Sequence, residues 1–391
     1  MNISSTLFAK TIKQEFISKG IQFFDGGLGE NPLPQPPCLI ECVKEKSHLK
    51  EYASAKGIPE LQKLLGNKII VGNGLKPLLF ILQLAFNRLY PDGIIYHIVP
   101  FWVSYEEQTK ILNIKSDRII PENKKTWKIT PEDLIKKLKK DKPHMIIFNN
   151  PNNPSGCVYN KQEIMALCEV FEEYGSIVLA DDIYENIVHQ DVELGQVKDY
   201  YSKTISGSSL SKMVSCGGYR LGWLKFYSDE LDDLYKIVNV MASSIYSCPS
   251  LMFQHVAVKT LSYPSEIVKY FVFQRKVFTE VKKIITSCLK GTKLELTESN
   301  GAWYVLINFD NYKDKLENLG IENSNQLSKY LIKNLKIIMV AGENFGIEEH
   351  LILRYSYIDL KDIDIEEMTY NIDNIGMLLM VLKGWLKEID A

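Results

Sequence analysis

Residues 145–184 read MIIFNNPNNPSGCVYNKQEIMALCEVFEEYGSIVLADDIY, and the fold class turns on this stretch. Two short runs rich in β-branched residues, 145–148 (MIIF) and 176–180 (SIVLA), flank residues 161–174, where apolar side chains recur every three or four positions. That order describes two strands of a mainly parallel sheet joined by a crossover helix. Both runs end in polar residues, NNPNNPSG after the first and DDIY after the second. In open α/β sheets ligands bind outside the carboxyl ends of strands, so both segments are candidates for a site. Working outward, 94–99 (IIYHIV), 204–206 and 222–226 (GWLKF) read as further strands, and 104–112 and 131–140 as helices. Pro131 behind Thr130 fits a helix start.

Beyond residue 264 the pattern changes. A long helical run (265–289) leads to strand-like segments at 293–296, 303–309 and 337–340 and to a final helix near 363–387, which suggests a separate α+β unit. The segment NPLPQPP (31–37) suits neither helix nor central strand. The start, MNISSTLFAKTIKQEF, lacks a continuous apolar core, so an arm or short helix is expected there and a secretory signal is not.

At 391 residues the chain exceeds the size at which a single core stops growing, so a large and a smaller domain are expected. Forty-six basic and 48 acidic residues leave a net charge of −2, which gives no electrostatic ground for a nucleic-acid or anionic-membrane partner. Apolar runs such as 78–86 and 377–382 fall short of the roughly 18 residues of a membrane span. Seven scattered cysteines without a Cys-x-x-Cys pair fit a reduced, cytoplasmic setting. The six histidines show no metal-ligand spacing, and no Ser-His-Asp arrangement can be argued from their order. A small-molecule site is the expectation.

The chemistry concentrates in Ser209-Leu210-Ser211-Lys212, which follows a strand candidate and precedes Gly218, Arg220 and Gly222. Hydroxyls and a guanidinium suit phosphate recognition, and a lysine beside a cation has its amine pKa lowered, as a nucleophilic lysine requires. A polar loop with a solvated lysine is the plain alternative. Asp181 and Tyr184 put an acid and a phenol at the same sheet edge, where the carboxylate could hold a protonated ring nitrogen.

Together these residues resemble the class I/II aminotransferases, fold type I enzymes of the aspartate-aminotransferase superfamily that use pyridoxal 5′-phosphate (PLP); the resemblance runs over about residues 24–358. It implies an α/β fold: a large PLP-binding domain (45–275) with a mainly parallel sheet flanked by helices, and a smaller α+β domain (276–391), with 1–44 as an arm and part of the small domain. By this resemblance Lys212 is the Schiff-base lysine, Asp181 pairs with the pyridine nitrogen, and Tyr184 and Asn153 bond the ring's phenolic oxygen. Ser209 and Arg220 match phosphate ligands. Gly74-Leu75-Lys76, just before a helix, looks like the loop that offers backbone N–H groups to the phosphate. Trp102 stands where the family stacks an aromatic ring on the cofactor.

Gly29 and Arg354 match the substrate-carboxylate contacts, joined by Asn153. Tyr52 is similar to the tyrosine that reaches the neighbouring subunit's phosphate, which implies a homodimer with shared sites. The chain departs from the family pattern at Gln62, where Arg is usual, in the short spacer before residue 71, and at Val340-Ala341-Gly342, where Pro-Gly is common. The reaction implied is transfer of the amino group of a small amino acid to a 2-oxo acid, with no metal. The alternatives are another PLP reaction on the same scaffold (a lyase, a decarboxylase or an oxidase) or a PLP-binding sensor, whose DNA-reading module is not expected ahead of residue 24.

Overall fold

Seven strands form the central sheet: β1 Ile69–Gly72, β2 Ile94–Ile98, β3 Ser116–Ile119, β4 His144–Asn149, β5 Ile177–Asp181, β6 Thr204–Ser209 and β7 Gly222–Phe226. The computed structural model describes residues 5–391, with side chains from residue 9 onward; residues 1–4 of the expected N-terminal arm lie outside the described residues. The strands lie in the order β1-β7-β6-β5-β4-β2-β3, parallel from β6 through β3, with β7 antiparallel to both of its neighbours. Every residue of β4 and β5 is buried, because helices cover both faces of the sheet.

The crossover between β4 and β5 forms where the sequence places it, at Lys161–Tyr174. The Asn160 side chain accepts from the Glu163 N–H at 2.9 Å while the Glu163 carboxylate accepts from the Asn160 N–H at 2.8 Å, so two orphan donors of the first turn are satisfied. Gly175, in the left-handed region at φ 61°, ends the helix, and Ile164, Leu167, Cys168, Val170 and Phe171 face inward. The Pro131–Ile135 helix starts behind Thr130 as expected but stops five residues early, since the KKLKK run (136–140) has only Leu138 to bury.

Two strands of the central sheet escaped the sequence reading. β1 is four residues long and follows a seven-residue helix, Pro59–Leu65, almost directly. β3 (SDRI) is a polar edge strand with only Ile119 buried, so it carries no apolar signal. The final helix expected near 363–387 forms as Asp373–Asp390; the residues ahead of it fold into the hairpin Lys361–Asp364 and Thr369–Asn371. The Asp364 carboxylate accepts from the N–H groups of Glu366 and Glu367 at 2.8 and 3.0 Å, and this local capping of a turn competes with helix there.

The long helix Ser265–Leu289 forms over its whole expected length and contains the expected domain border at 275–276. After it comes an antiparallel sheet in the order Val340–Ala341, Ile352–Ser356, Tyr304–Asn308, Glu295–Leu296. The single strand expected over 337–340 divides at Met339: Ile337–Ile338 pairs in parallel with Phe24–Asp25, and Val340 lies opposite Arg354. The segment that follows Asp25 is thereby tied to the antiparallel sheet, with Gly26 N–H donating to Ile338 O at 2.9 Å and Ser356 N–H to Gly26 O at 2.8 Å. Among the described residues no helix is long and apolar enough to cross a membrane.

The loop after β4 is fastened to strand Tyr304–Asn308 at Gly156. Its φ of 71° disfavours an L side chain, and a methyl there would stand 2.2 Å from the Tyr304 carbonyl oxygen. Gly156→Ala is expected to cost at least about 2 kcal/mol, read as a lower denaturation midpoint in urea, whereas an alanine accommodated without loss would contradict this packing.

Candidate active site

The carboxyl ends of three neighbouring strands set the floor of the site. Asn149 is in register with Asp181, and Asp181 with Gly207, so the loop after β4, the DDIY segment after β5 and the SLSK segment after β6 emerge side by side. Above them lies a cavity of about 850 Å³, closed on the other side by Tyr304 and Arg354 of the antiparallel sheet and by residues 28–31.

Of the thirteen residues singled out from the sequence, eleven line this cavity. Asp181, Asn153, Tyr184 and Lys212 come from the three strand ends; Leu75, Lys76 and Trp102 from the opposite wall; Ser209 and Arg220 from either side of the lysine; Gly29 and Arg354 from the N-terminal segment and strand Ile352–Ser356. The other two do not line it. Gly74 lies immediately behind, as the N-cap of Leu75–Leu89, and Tyr52 is 91% exposed on the surface.

Lys212 sits in a one-turn helix, Leu210–Met213, which begins where the Ser209 hydroxyl accepts from the Ser211 N–H at 3.2 Å. The Lys212 ammonium donates to the Gly29 carbonyl. The Asn31 amide holds the segment by donating to Lys212 O at 2.8 Å and to the Gln274 side chain at 2.6 Å. Lys212 is half-buried and lines the cavity, and burial pushes its pKa down to about 8, opposed by Glu30 and assisted by Arg354, Lys76 and Arg220. The sequence pointed to a neighbouring cation as the cause; in the structure desolvation is the larger one.

Asp181 is buried, and desolvation raises its carboxyl to about 6 against the pull of its hydrogen bonds and of Lys212. One carboxylate oxygen accepts from the Tyr105 hydroxyl at 2.5 Å, the other from the Ile183 N–H at 3.2 Å. Tyr105 also packs edge-on against Trp102, at 5.4 Å between ring centres, so one side chain orients both the acid and the aromatic wall. Tyr184 shares a hydrogen bond of 2.8 Å with Tyr304.

Arg354 is buried in strand Ile352–Ser356. It donates to the Asn153 side chain at 3.0 Å and to the Gly27 carbonyl at 2.6 Å, while its Nε–H has no protein partner. A guanidinium with an open N–H fork in a buried place suits a carboxylate ligand. At the other end, Leu75 and Lys76 form the first turn of a fifteen-residue helix whose leading N–H groups have no intrahelical acceptor. Arg220, at φ 51°, folds back there and donates to Gly217 O at 2.7 Å and Asn73 O at 3.4 Å. Helix N-terminus, guanidinium and serine hydroxyl together favour an anion such as phosphate.

The sequence reading did not single out Tyr105 as the donor to Asp181, Tyr304 as the partner of Tyr184, or Asn31. Tyr105 lies within the PFWVSY segment that supplied Trp102, three residues away, so a helical turn could have linked them. Tyr304 and Asn31 meet the site only through tertiary contacts and carry no local signal.

Comparison with known proteins agrees with this architecture. The chain is 28% identical to an aspartate aminotransferase of Bacillus subtilis (strain 168), the alignment covering 93% of this chain and 95% of that one. It is 26% identical to a probable aspartate/prephenate aminotransferase of Aquifex aeolicus (strain VF5), with 90% and 91% covered. Among solved structures, aspartate aminotransferase from Thermus thermophilus with maleate superposes with a TM-score of 0.84 at 20% identity, covering 98% of this chain and 96% of that one. The enzyme from Rhizobium meliloti gives 0.82 at 22% identity, with 97% and 96% covered. The family model described as "Aminotransferase class I and II" matches residues 27–367, and the chain belongs to that family.

Proposed function

We propose that this aminotransferase works with PLP held at Lys212, and that it exchanges the amino group between an amino acid and a 2-oxo acid. The observation that carries this reading is the meeting, in one cavity, of a lysine amine with its pKa lowered to about 8 and a buried carboxylate. The donor set fits the cofactor: an anion site at the start of Leu75–Leu89, an indole wall at Trp102, an acid at Asp181 and an amine at Lys212. When bound, PLP supplies an electron sink, a protonated pyridine ring that accepts the electron pair left when the substrate Cα loses its proton.

The chain's own groups do the rest. Asp181, oriented by Tyr105, keeps the ring nitrogen protonated through a charge-assisted hydrogen bond. Trp102 limits the ring's movement, and Arg220, Ser209 and the Leu75–Lys76 turn hold the phosphate. Asn153 gives its carbonyl oxygen to Arg354 and so keeps its amide N–H groups for the phenolic oxygen, beside Tyr184. Arg354 fixes the substrate α-carboxylate, which leaves the Cα–H bond as the one presented for cleavage and disfavours decarboxylation. Lys212, once freed as a neutral amine, takes that proton as a base and returns it as an acid. Tyr52, exposed on this chain, would complete a second copy's phosphate site in a homodimer.

Amino acids added one at a time to the purified protein are expected to bleach the visible absorbance of the bound cofactor, and 2-oxoglutarate to restore it. Bleaching that no 2-oxo acid reverses would instead favour a lyase on the same scaffold.

A further inference from the structure

The reacting lysine stands in a helix of a single turn, Leu210–Met213. A helix that short has no following turn to donate to its last carbonyl groups, so their partners must come from elsewhere in the chain. Two side-chain amides supply them. Asn31 Nδ2 donates to Lys212 O at 2.8 Å, and Gln274 Nε2 donates to Met213 O at 3.4 Å. The amides also bond each other, Asn31 Nδ2 donating to Gln274 Oε1 at 2.6 Å.

Gln274 is out of keeping with its surroundings. It is fully buried on the long helix Ser265–Leu289, together with Tyr270, Phe273, Val277 and Phe278 of the same helix. An apolar side chain there would bury without loss, whereas an amide is costly to bury unless its polar atoms are paired. Both ends of this amide are paired, and both pairs lead to the Lys212 segment.

Asn31 is fixed in turn. Its Oδ1 accepts from the Leu33 N–H at 3.1 Å, which leaves Nδ2 to face Lys212 and Gln274, and its main-chain carbonyl accepts from the Ser215 hydroxyl at 3.1 Å. Two residues earlier, the Gly29 carbonyl accepts from the Lys212 ammonium. Residues 29–31 therefore hold the lysine at both ends, main chain and amine, and Gln274 braces the main-chain end.

We infer that Gln274 is a positioning residue for the reacting lysine: acting through Asn31, it fixes the main chain at Lys212 and so the place from which the amine reaches the substrate. This rests on the aminotransferase reading and adds a residue to the working parts of that same site.

The test uses Gln274→Met, which keeps length and apolar bulk while removing both amide bonds. The amino acid that bleaches the wild-type cofactor fastest is mixed with each holoprotein, and the rate is expressed per bound cofactor so that unfolded protein does not count. Gln274→Met lowers the saturating rate roughly tenfold, as loss of one well-placed hydrogen bond does, and leaves the half-saturating concentration within about twofold, because Arg354 is untouched. Asn31→Ala loses at least as much. The double variant stays within about threefold of Asn31→Ala alone, since two residues in one relay do not add, against roughly a hundredfold loss if they acted independently. Should Gln274→Met not yield folded holoprotein, Gln274→Asn, an amide one methylene too short to meet both partners, carries the same expectations. A saturating rate within about twofold of wild type, with only the urea midpoint lowered, would show that Gln274 serves the fold alone and overturn the inference, as would losses that multiply in the double variant; the aminotransferase reading stands in either case. If no amino acid bleaches the wild-type protein, the parent reading falls and this one with it.

Discussion

Lys212→Ala is expected to reduce turnover by at least about 10³-fold while the protein still folds. General acid–base catalysis alone contributes 10²–10⁴-fold, and this side chain is asked both to anchor the cofactor and to carry the proton. Alanine removes a buried amine whose pKa is driven down to about 8, so the substitution also relieves a desolvation cost. Thermal unfolding of the apoprotein should therefore change little, and a large stability loss would mean that the lysine serves the fold more than the chemistry. The lowered pKa has its own sign. Attack on an aldehyde needs the neutral amine, so cofactor uptake by wild-type apoprotein should accelerate as pH rises and level off above about 8. A lysine near its ordinary value of about 10.4 would keep accelerating well beyond that.

Asp181→Asn is the second large effect, a fall in kcat of roughly 10²–10⁴-fold with the cofactor still bound. The amide is nearly isosteric and can still accept from Tyr105, but it carries no charge to hold a proton on the ring nitrogen. Without ligand, burial holds the Asp181 carboxyl near 6, above its ordinary range. A pyridinium beside it lowers that value, since an opposite charge favours the ionised form, so the holoenzyme should keep its activity as pH falls through 6. Tyr105→Phe removes only the orienting hydroxyl and should cost about tenfold, which separates the charge of Asp181 from its placement. Equal losses for Asp181→Asn and Tyr105→Phe would contradict the assignment of the charge to the ring nitrogen.

How much of this was legible beforehand depended on whether the signal was local. MIIF and SIVLA carry their own apolar runs, and NNPNNPSG, DDIY and SLSK sit immediately after strands, so both the sheet and the floor of the cavity could be read from spacing. β3 could not, because an edge strand with one buried residue has no pattern to see. The hairpin 361–371 was mistaken for helix because short polar-apolar runs fit either period until turn capping at Asp364 decides between them. The division of 337–340 between two sheets depends on Phe24–Asp25 arriving from more than three hundred residues away. The same limit governs the site: Lys212, Asp181 and Arg354 announce themselves in motifs, whereas Tyr304 and Asn31 matter only once distant parts of the chain meet.

The proposed chemistry requires that the cofactor join Lys212 and no other lysine. Borohydride reduction of the purified holoprotein, followed by proteolysis and mass spectrometry, should find the pyridoxyl group on the peptide containing Lys212 and on no other in stoichiometric yield. Stoichiometric label on Lys76 or Lys10, or tight cofactor binding with no reducible linkage, would contradict it.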